Sequence, residues 1–164
     1  MQIQAGHAHL PITAVDTIEL LLFRLGGDSH GLRNELFGFH VANVREIVAM
    51  PAVTALAGAS PHVLGVVNWH GQVIEVLDLP ALAGCVPASG RKIMLVTELG
   101  NATHAFALES VEEIVLIESN RVIMRQHGAT GGIVAGIACL DDTASSARLA
   151  QVLDLGAIVR RVKG

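Results

Sequence analysis

Two stretches of this chain decide its fold: FGFHVANVREIV, running from Phe37 to Val48, and HAFALESVEEIV, running from His104 to Val115. They align without a gap at a constant spacing of 67 positions, with Phe39 on Phe106, Val44 on Val111 and Ile47-Val48 on Ile114-Val115. A repeat that keeps its order along the chain means one structural unit used twice. The spacing then drifts. Leu64-Gly65-Val66 answers to Ala135-Gly136-Ile137, and VLDLPAL from Val76 answers to VLDLGAI from Val152, so the second copy carries an insertion around Asp141–Ala147. Insertions of this kind belong in loops.

Each copy reads as strands. The 17 glycines punctuate short runs rich in Val, Ile and Leu, a pattern of many short strands rather than long helices. Ten strands are predicted: Ile18–Leu25, Leu36–Val41, Glu46–Met50, Val63–Asn68, Gln72–Leu77, Ile93–Leu99, Ala102–Leu108, Glu113–Glu118, Ile133–Cys139 and Ala147–Leu153. The expected fold class is all-β, with about five strands per unit curled into a small barrel that limits exposed edges. The two barrels are expected to share one core, with the small residues and proline of AGCVPASG (83–90) connecting them. Both units end in Asp-Leu-x-Ala-Leu/Ile, at Asp78 and Asp154. Their repetition at equivalent places predicts two capping carboxylates, each opening a short helical turn, rather than a catalytic acid-base pair.

Composition bounds the rest. With 164 residues, 51% hydrophobic and 16% charged, the chain is long enough and apolar enough to bury a core. Its longest apolar runs fall short of a spanning helix: Ile18–Phe23 is broken by Glu19, and Ala129–Leu140 contains three glycines. The opening MQIQAGHAHLPIT lacks the basic start and apolar core of a signal peptide, which predicts a cytoplasmic protein with no direct membrane insertion. A net charge of −4 and 3% aromatic residues give nucleic acid neither a basic footprint nor a stacking platform. Cys85 and Cys139 lack CxxC spacing and read as buried small hydrophobes, without a zinc site or a disulfide. His7, His9, His30, His40, His62, His70, His104 and His127 show no clustered ligand spacing, so no metal is expected. Gly26-Gly27 and Gly131-Gly132 lack the lysine and helix of a phosphate-binding loop and read as turns. No GxSxG elbow occurs. No catalytic residue and no cofactor are expected.

Between two apolar strands lies Asn68-Trp69-His70-Gly71, where Asn first and Gly last predict a type I turn with a glycine bulge. Trp69 and His70 would then project from the hairpin tip. An indole left in water forgoes about 2–3 kcal/mol of burial, so either the other barrel or a partner is expected to cover it.

GVVNWHGQVIEVLDL, from Gly65 to Leu79, resembles the GVxNLRGxVIPVxDL segment of CheW-like chemotaxis coupling proteins. The resemblance extends to LLFRLGG, VREIV, VAGIACL and the second VLDL, covering about residues 16 to 160. It implies two five-stranded SH3-like barrels, with a tail over 1–15, a first barrel over about 16–84 and a second over about 91–160. It also implies a non-enzymatic scaffold linking the cytoplasmic tip of methyl-accepting chemoreceptors to the regulatory domain of a CheA-type histidine kinase, recruited to receptor arrays. The partner-contact positions it carries over are Val44, Glu46 and Ile47, with His70 in the place of the family arginine; Trp69, which replaces the family leucine, is expected as a further anchor from its place in the turn. Glu75 replaces the family proline. His for Arg removes a permanent charge and a two-toothed donor, and Glu75 restores a backbone donor. These departures fit a divergent surface-motility or pilus pathway as well as swimming chemotaxis. They also motivate an alternative, a regulatory CheW-like module that sequesters one partner and suppresses signalling. A His70 paired with a partner carboxylate would weaken binding as pH rises above about 6.5.

Overall fold

The structure, a computed structural model, describes residues 15–28, 33–125, 132–141 and 148–163. The expected tail apart from Val15, the insertion beyond Asp141, and His7, His9, His30, His127 and Gly131 lie outside the described residues.

The chain runs β1 (Thr17–Asp28), β2 (Asn34–His40), a 3-10 turn (Val41–Asn43), β3 (Val44–Ala49), β4 (Val63–Trp69), β5 (Gln72–Leu77) and helix α1 (Leu79–Leu82). It continues through β6 (Cys85–Val86), β7 (Ile93–Leu99), β8 (Ala102–Leu108), β9 (Ser110–Glu118), a second 3-10 turn (Ser119–Arg121), β10 (Val122–Met124), β11 (Val134–Cys139), β12 (Leu149–Leu153) and helix α2 (Leu155–Lys163). All ten predicted strands are present, and β6 and β10 are short additions. Gly26 and Gly27 sit in the bulged end of β1 rather than in a turn.

Two sheets form, and they do not divide along the chain. One joins β9, β1, β2, β12 and β11 in that order, with β10 extending it and β6 pairing with the end of β1. The other runs β3-β7-β8-β5-β4. The first sheet therefore joins the β1-β2 hairpin to four strands of the second half, β9 to β12, and the second joins the β7-β8 hairpin to three strands of the first half, β3 to β5. The expected division into barrels at about 16–84 and 91–160 is thereby corrected. The 3-10 turn Val41–Asn43 carries the chain from one sheet to the other, and Asn43 Nδ2 ties that crossing to the Glu98 carbonyl of β7 at 3.1 Å. Two parallel pairings, β2 with β12 and β5 with β8, complete the exchange.

Alternation along the strands explains why the sequence is so apolar. On β1, Leu20 and Leu22 enter a cluster inside their own sheet with Ala150 and Val152, while Leu21, Phe23 and Leu25 enter a larger cluster between the sheets. On β7 and β8, Met94, Val96, Ala105 and Ala107 fill the interior of the second sheet, while Leu95, Phe106 and Leu108 face the shared cluster. Strands buried on both faces lose the polar alternation of a one-sided sheet. The expected shared core is the middle of three clusters among the described residues, and it holds all four phenylalanines, Phe23, Phe37, Phe39 and Phe106.

The repeated glycines Gly65 and Gly136 mark a close backbone crossing. A Cβ on Gly65 would stand 2.2 Å from the Thr54 carbonyl oxygen, and one on Gly136 would stand 2.8 Å from that of Ile123. Gly65 also has φ +151°, which L side chains rarely adopt.

The capping expectation holds in both copies. Asp78 Oδ1 accepts from the Ala81 amide at 3.4 Å, and Asp154 Oδ1 accepts from that of Ala157 at 2.9 Å. The second helix is longer than the expected short turn, reaching Lys163. Leu155 and Ile158 anchor it in the shared cluster, while Arg160, Arg161 and Lys163 suit the negative end of its dipole. The 83–90 connector is fastened: Val86 pairs with Gly27, and the Ser89 amide donates to the buried Glu109 Oε2 at 3.0 Å. Cys85 and Cys139 are free thiols, half-buried rather than fully buried. Burial first, then the nearby Asp28 and Glu35 carboxylates, pushes the Cys85 thiol up from its ordinary value and keeps it protonated.

Candidate functional site

β3 and β4 are the two outer strands of the second sheet, and at their ends the chain places Glu46, Trp69 and His70 together. The Trp69 indole Nε1–H donates to Glu46 Oε2 at 2.6 Å, and His70 Nε2 stands 3.5 Å from Glu46 Oε1. Because Glu46 lies on β3 and Trp69 on β4, these contacts link the first and last strands of the sheet and help close its curl. Trp69 and His70 meet edge to face, with ring centroids 4.6 Å apart at 74°.

The turn that presents them differs from the expected one. Trp69 pairs with Gln72 as the last rung of the ladder, leaving a two-residue loop of His70 and Gly71. Both are left-handed, with φ 50° and 79°, the signature of a type I′ hairpin. The Asn68 side chain accepts the Gly71 amide at 3.0 Å. Only His70 stands at the tip, where its side chain is 68% exposed. Trp69 follows Val67 to the inner side of β4 and packs on the cluster of its own sheet. Its own sheet thus covers part of the indole, which is half-buried.

Val44 and Ile47 face the other way. A bulge between Val44 and Glu46 resets the register, so Val44 pairs with Thr97 and Ile47 with Leu95, on the shared-core side of the sheet. Glu46 pairs with Val96 on the inner side. Val44 packs against the shared cluster and is half-buried, whereas Ile47 is 40% exposed. The five positions named from sequence thus split into a polar-aromatic group of Glu46, Trp69 and His70 and an apolar pair on the opposite face. Both groups border one edge strand.

The electrostatics centre on Glu46. The indole hydrogen bond is the largest influence and holds its carboxyl below the usual range; desolvation opposes it, and the hydrogen bond and charge of His70 add smaller lowering effects. Next to it, Arg45 is engaged by Glu98 of β7.

Sequence reasoning missed a counterpart in the other copy. Glu113, which the repeat aligns with Glu46, accepts from Arg148 Nη1 at 2.7 Å, and Arg148 immediately precedes β12. An outer-strand carboxylate is therefore held in both sheets, by Trp69 and His70 at the β4–β5 hairpin in one and by Arg148 near the β11–β12 connection in the other. The aligned VREIV and VEEIV segments were the available signal.

Among the described residues, no group of three His, Cys, Asp or Glu side chains is placed to hold a metal ion, and no helix is long and apolar enough to cross a membrane. What the arrangement offers is a grip: a rigid edge with an indole, a carboxylate and an exposed isoleucine, suited to non-covalent docking.

Comparison with known proteins places the fold that carries this edge. Residues 19–163 match the CheW-like domain, and the chain belongs to the CheW-like family. It is similar to chemotaxis protein CheV3 of Helicobacter pylori, 29% identical over 120 residues, covering 71% of this chain and 39% of that protein. It is also similar to a probable chemotaxis protein CheW of Rhizobium etli, 28% identical over 101 residues, covering 60% of this chain and 61% of that one. The chain thus spans less than two thirds of the length of either relative. Among solved structures, the scaffolding protein TtCheW of Thermoanaerobacter tengcongensis has the same fold, with a TM-score of 0.71 at 22% identity, over 85% of this chain and 90% of that one. These relatives are chemotaxis and scaffolding proteins.

Proposed function

We propose that this chain is a non-enzymatic adaptor of a bacterial chemosensory pathway. It acts in the cytoplasm at receptor arrays, coupling the tip of methyl-accepting chemoreceptors to the regulatory domain of a CheA-type histidine kinase. The observation that carries this reading is the outer edge of β3, where Ile47 lies exposed on one face and Glu46 is held by Trp69 and His70 on the other. A partner laid along an edge strand reaches side chains of both faces at once. Preorganised anchors lose little side-chain freedom on docking, so a few of them can supply most of the affinity.

The test is a reconstituted mixture of chemoreceptor, CheA-type kinase and this chain. Wild type is expected to raise receptor-dependent kinase activity, and Trp69→Ala to weaken kinase capture by about tenfold or more. Suppression of the kinase by wild type in the full mixture would replace coupling with sequestration of one partner.

A further inference from the structure

His70 and Glu46 hold one another within the chain, which bears on what a partner can find there. Glu46 has two carboxylate oxygens. Oε2 is taken by the Trp69 indole at 2.6 Å, and that bond does not depend on the state of His70. Oε1 faces His70 Nε2 at 3.5 Å, and that contact is an ion pair only when the imidazole carries a second proton. The ring also lies edge to face with the indole, their centroids 4.6 Å apart.

Among the described residues, no other charge is placed against this pair. On β3 the neighbouring Arg45 is engaged by Glu98 of β7; β4 carries no charged residue; on β5 the one ionisable side chain is Glu75, which is exposed. Among the described residues, His70 is the charge that lowers the Glu46 carboxyl.

We propose that Glu46, Trp69 and His70 form a proton-operated latch on the docking edge. With His70 protonated, both Glu46 oxygens are held within the chain and the tip is cationic. With His70 neutral, the charge of that contact is lost and Oε1 becomes more available to a lysine or arginine of the docked partner. The device deepens the docking reading above and rests on it. It reverses the pH expectation drawn from sequence: contact with a basic partner strengthens as pH rises, because the carboxylate that His70 would engage belongs to this chain.

Trp69 is the only tryptophan in the chain, so indole fluorescence reports this site alone. An imidazolium in contact with an excited indole quenches it. Between about pH 8 and about pH 5.5, wild-type emission is expected to fall in one transition, and His70→Asn, whose side chain tolerates left-handed backbone, to abolish it. A flat wild-type signal, or a transition that survives in His70→Asn, overturns the latch. The second arm titrates the purified CheA-type regulatory domain. Its affinity for wild type is expected to be about threefold higher at the alkaline end, with no such difference for Glu46→Gln. Equal affinity at both ends overturns the release step. Absence of binding at every pH overturns the docking reading instead, and the fluorescence arm still decides whether the proton moves the cluster.

Discussion

Arg91 grips Asp78 with two parallel hydrogen bonds, Nε to Oδ1 at 2.8 Å and Nη2 to Oδ2 at 2.9 Å. The carboxylate is 9% exposed and also caps α1, so one side chain fastens the end of β5, the following helix and the chain entering β7. Asp154 repeats the cap in the other copy.

That difference predicts unequal costs for the same substitution. Asp154→Ala removes a helix cap, worth about 1 kcal/mol. Asp78→Ala also strands the guanidinium, and its total cost is expected to be about 3 kcal/mol, or about 6–12 °C in thermal midpoint for a domain of this size. Thermal melts of the two variants decide it. Equal shifts would mean that Arg91 contributes nothing.

The two faces of β3 predict that Val44 and Ile47 respond differently to the same charge. Val44→Asp drives a carboxylate against the shared cluster and is expected to cost about 3 kcal/mol, so any loss of docking would be confounded with unfolding. Ile47→Asp lands in solvent and is expected to change stability by less than about 0.5 kcal/mol while weakening partner capture by about tenfold. Denaturant melts read the first effect and pull-down the second. An unaltered pull-down with Ile47→Asp removes this residue from the docking edge.

His104 sets an acid limit on stability. It lies on the shared-core side of β8, and its buried Nδ1 has no hydrogen-bond partner among the described residues. Burial, reinforced by Lys163 and only partly opposed by Glu75, lowers its pKa from 6.5. The unfolded chain therefore takes up this proton first. The native state keeps its full stability above about pH 6.5 and loses it as pH falls from there toward the lower folded value. His104→Leu is expected to flatten this limb in denaturant midpoints measured across that range and to raise stability at neutral pH by about 1 kcal/mol. A limb unchanged in the variant would assign it to other groups.

The strands were legible because the residues that form them are apolar on both faces, as Leu20 to Phe23 show. The duplication was legible because Gly65 and Gly136 face the same crossing constraint, and Asp78 and Asp154 the same helix start. The exchange of hairpins was not. A repeat establishes that β2 and β8 are equivalent, and equivalence is what hides which of them pairs with β5 or β12. The turn was misread by one position because Asn68 and Gly71 suit either loop, and a left-handed histidine leaves no signature in composition. Glu46 and Trp69 were both named, yet their bond spans 23 residues and arises only when the sheet curls its ends together.

The interlaced hairpins make the molecule indivisible in a mechanical sense. Severing the backbone within 83–90 would yield no pair of free-standing lobes, since each fragment would leave with two strands that belong to the other's sheet. A pull on β1 is borne by β9, on the far side of the sequence, and a perturbation of one lobe has a direct covalent route into its neighbour.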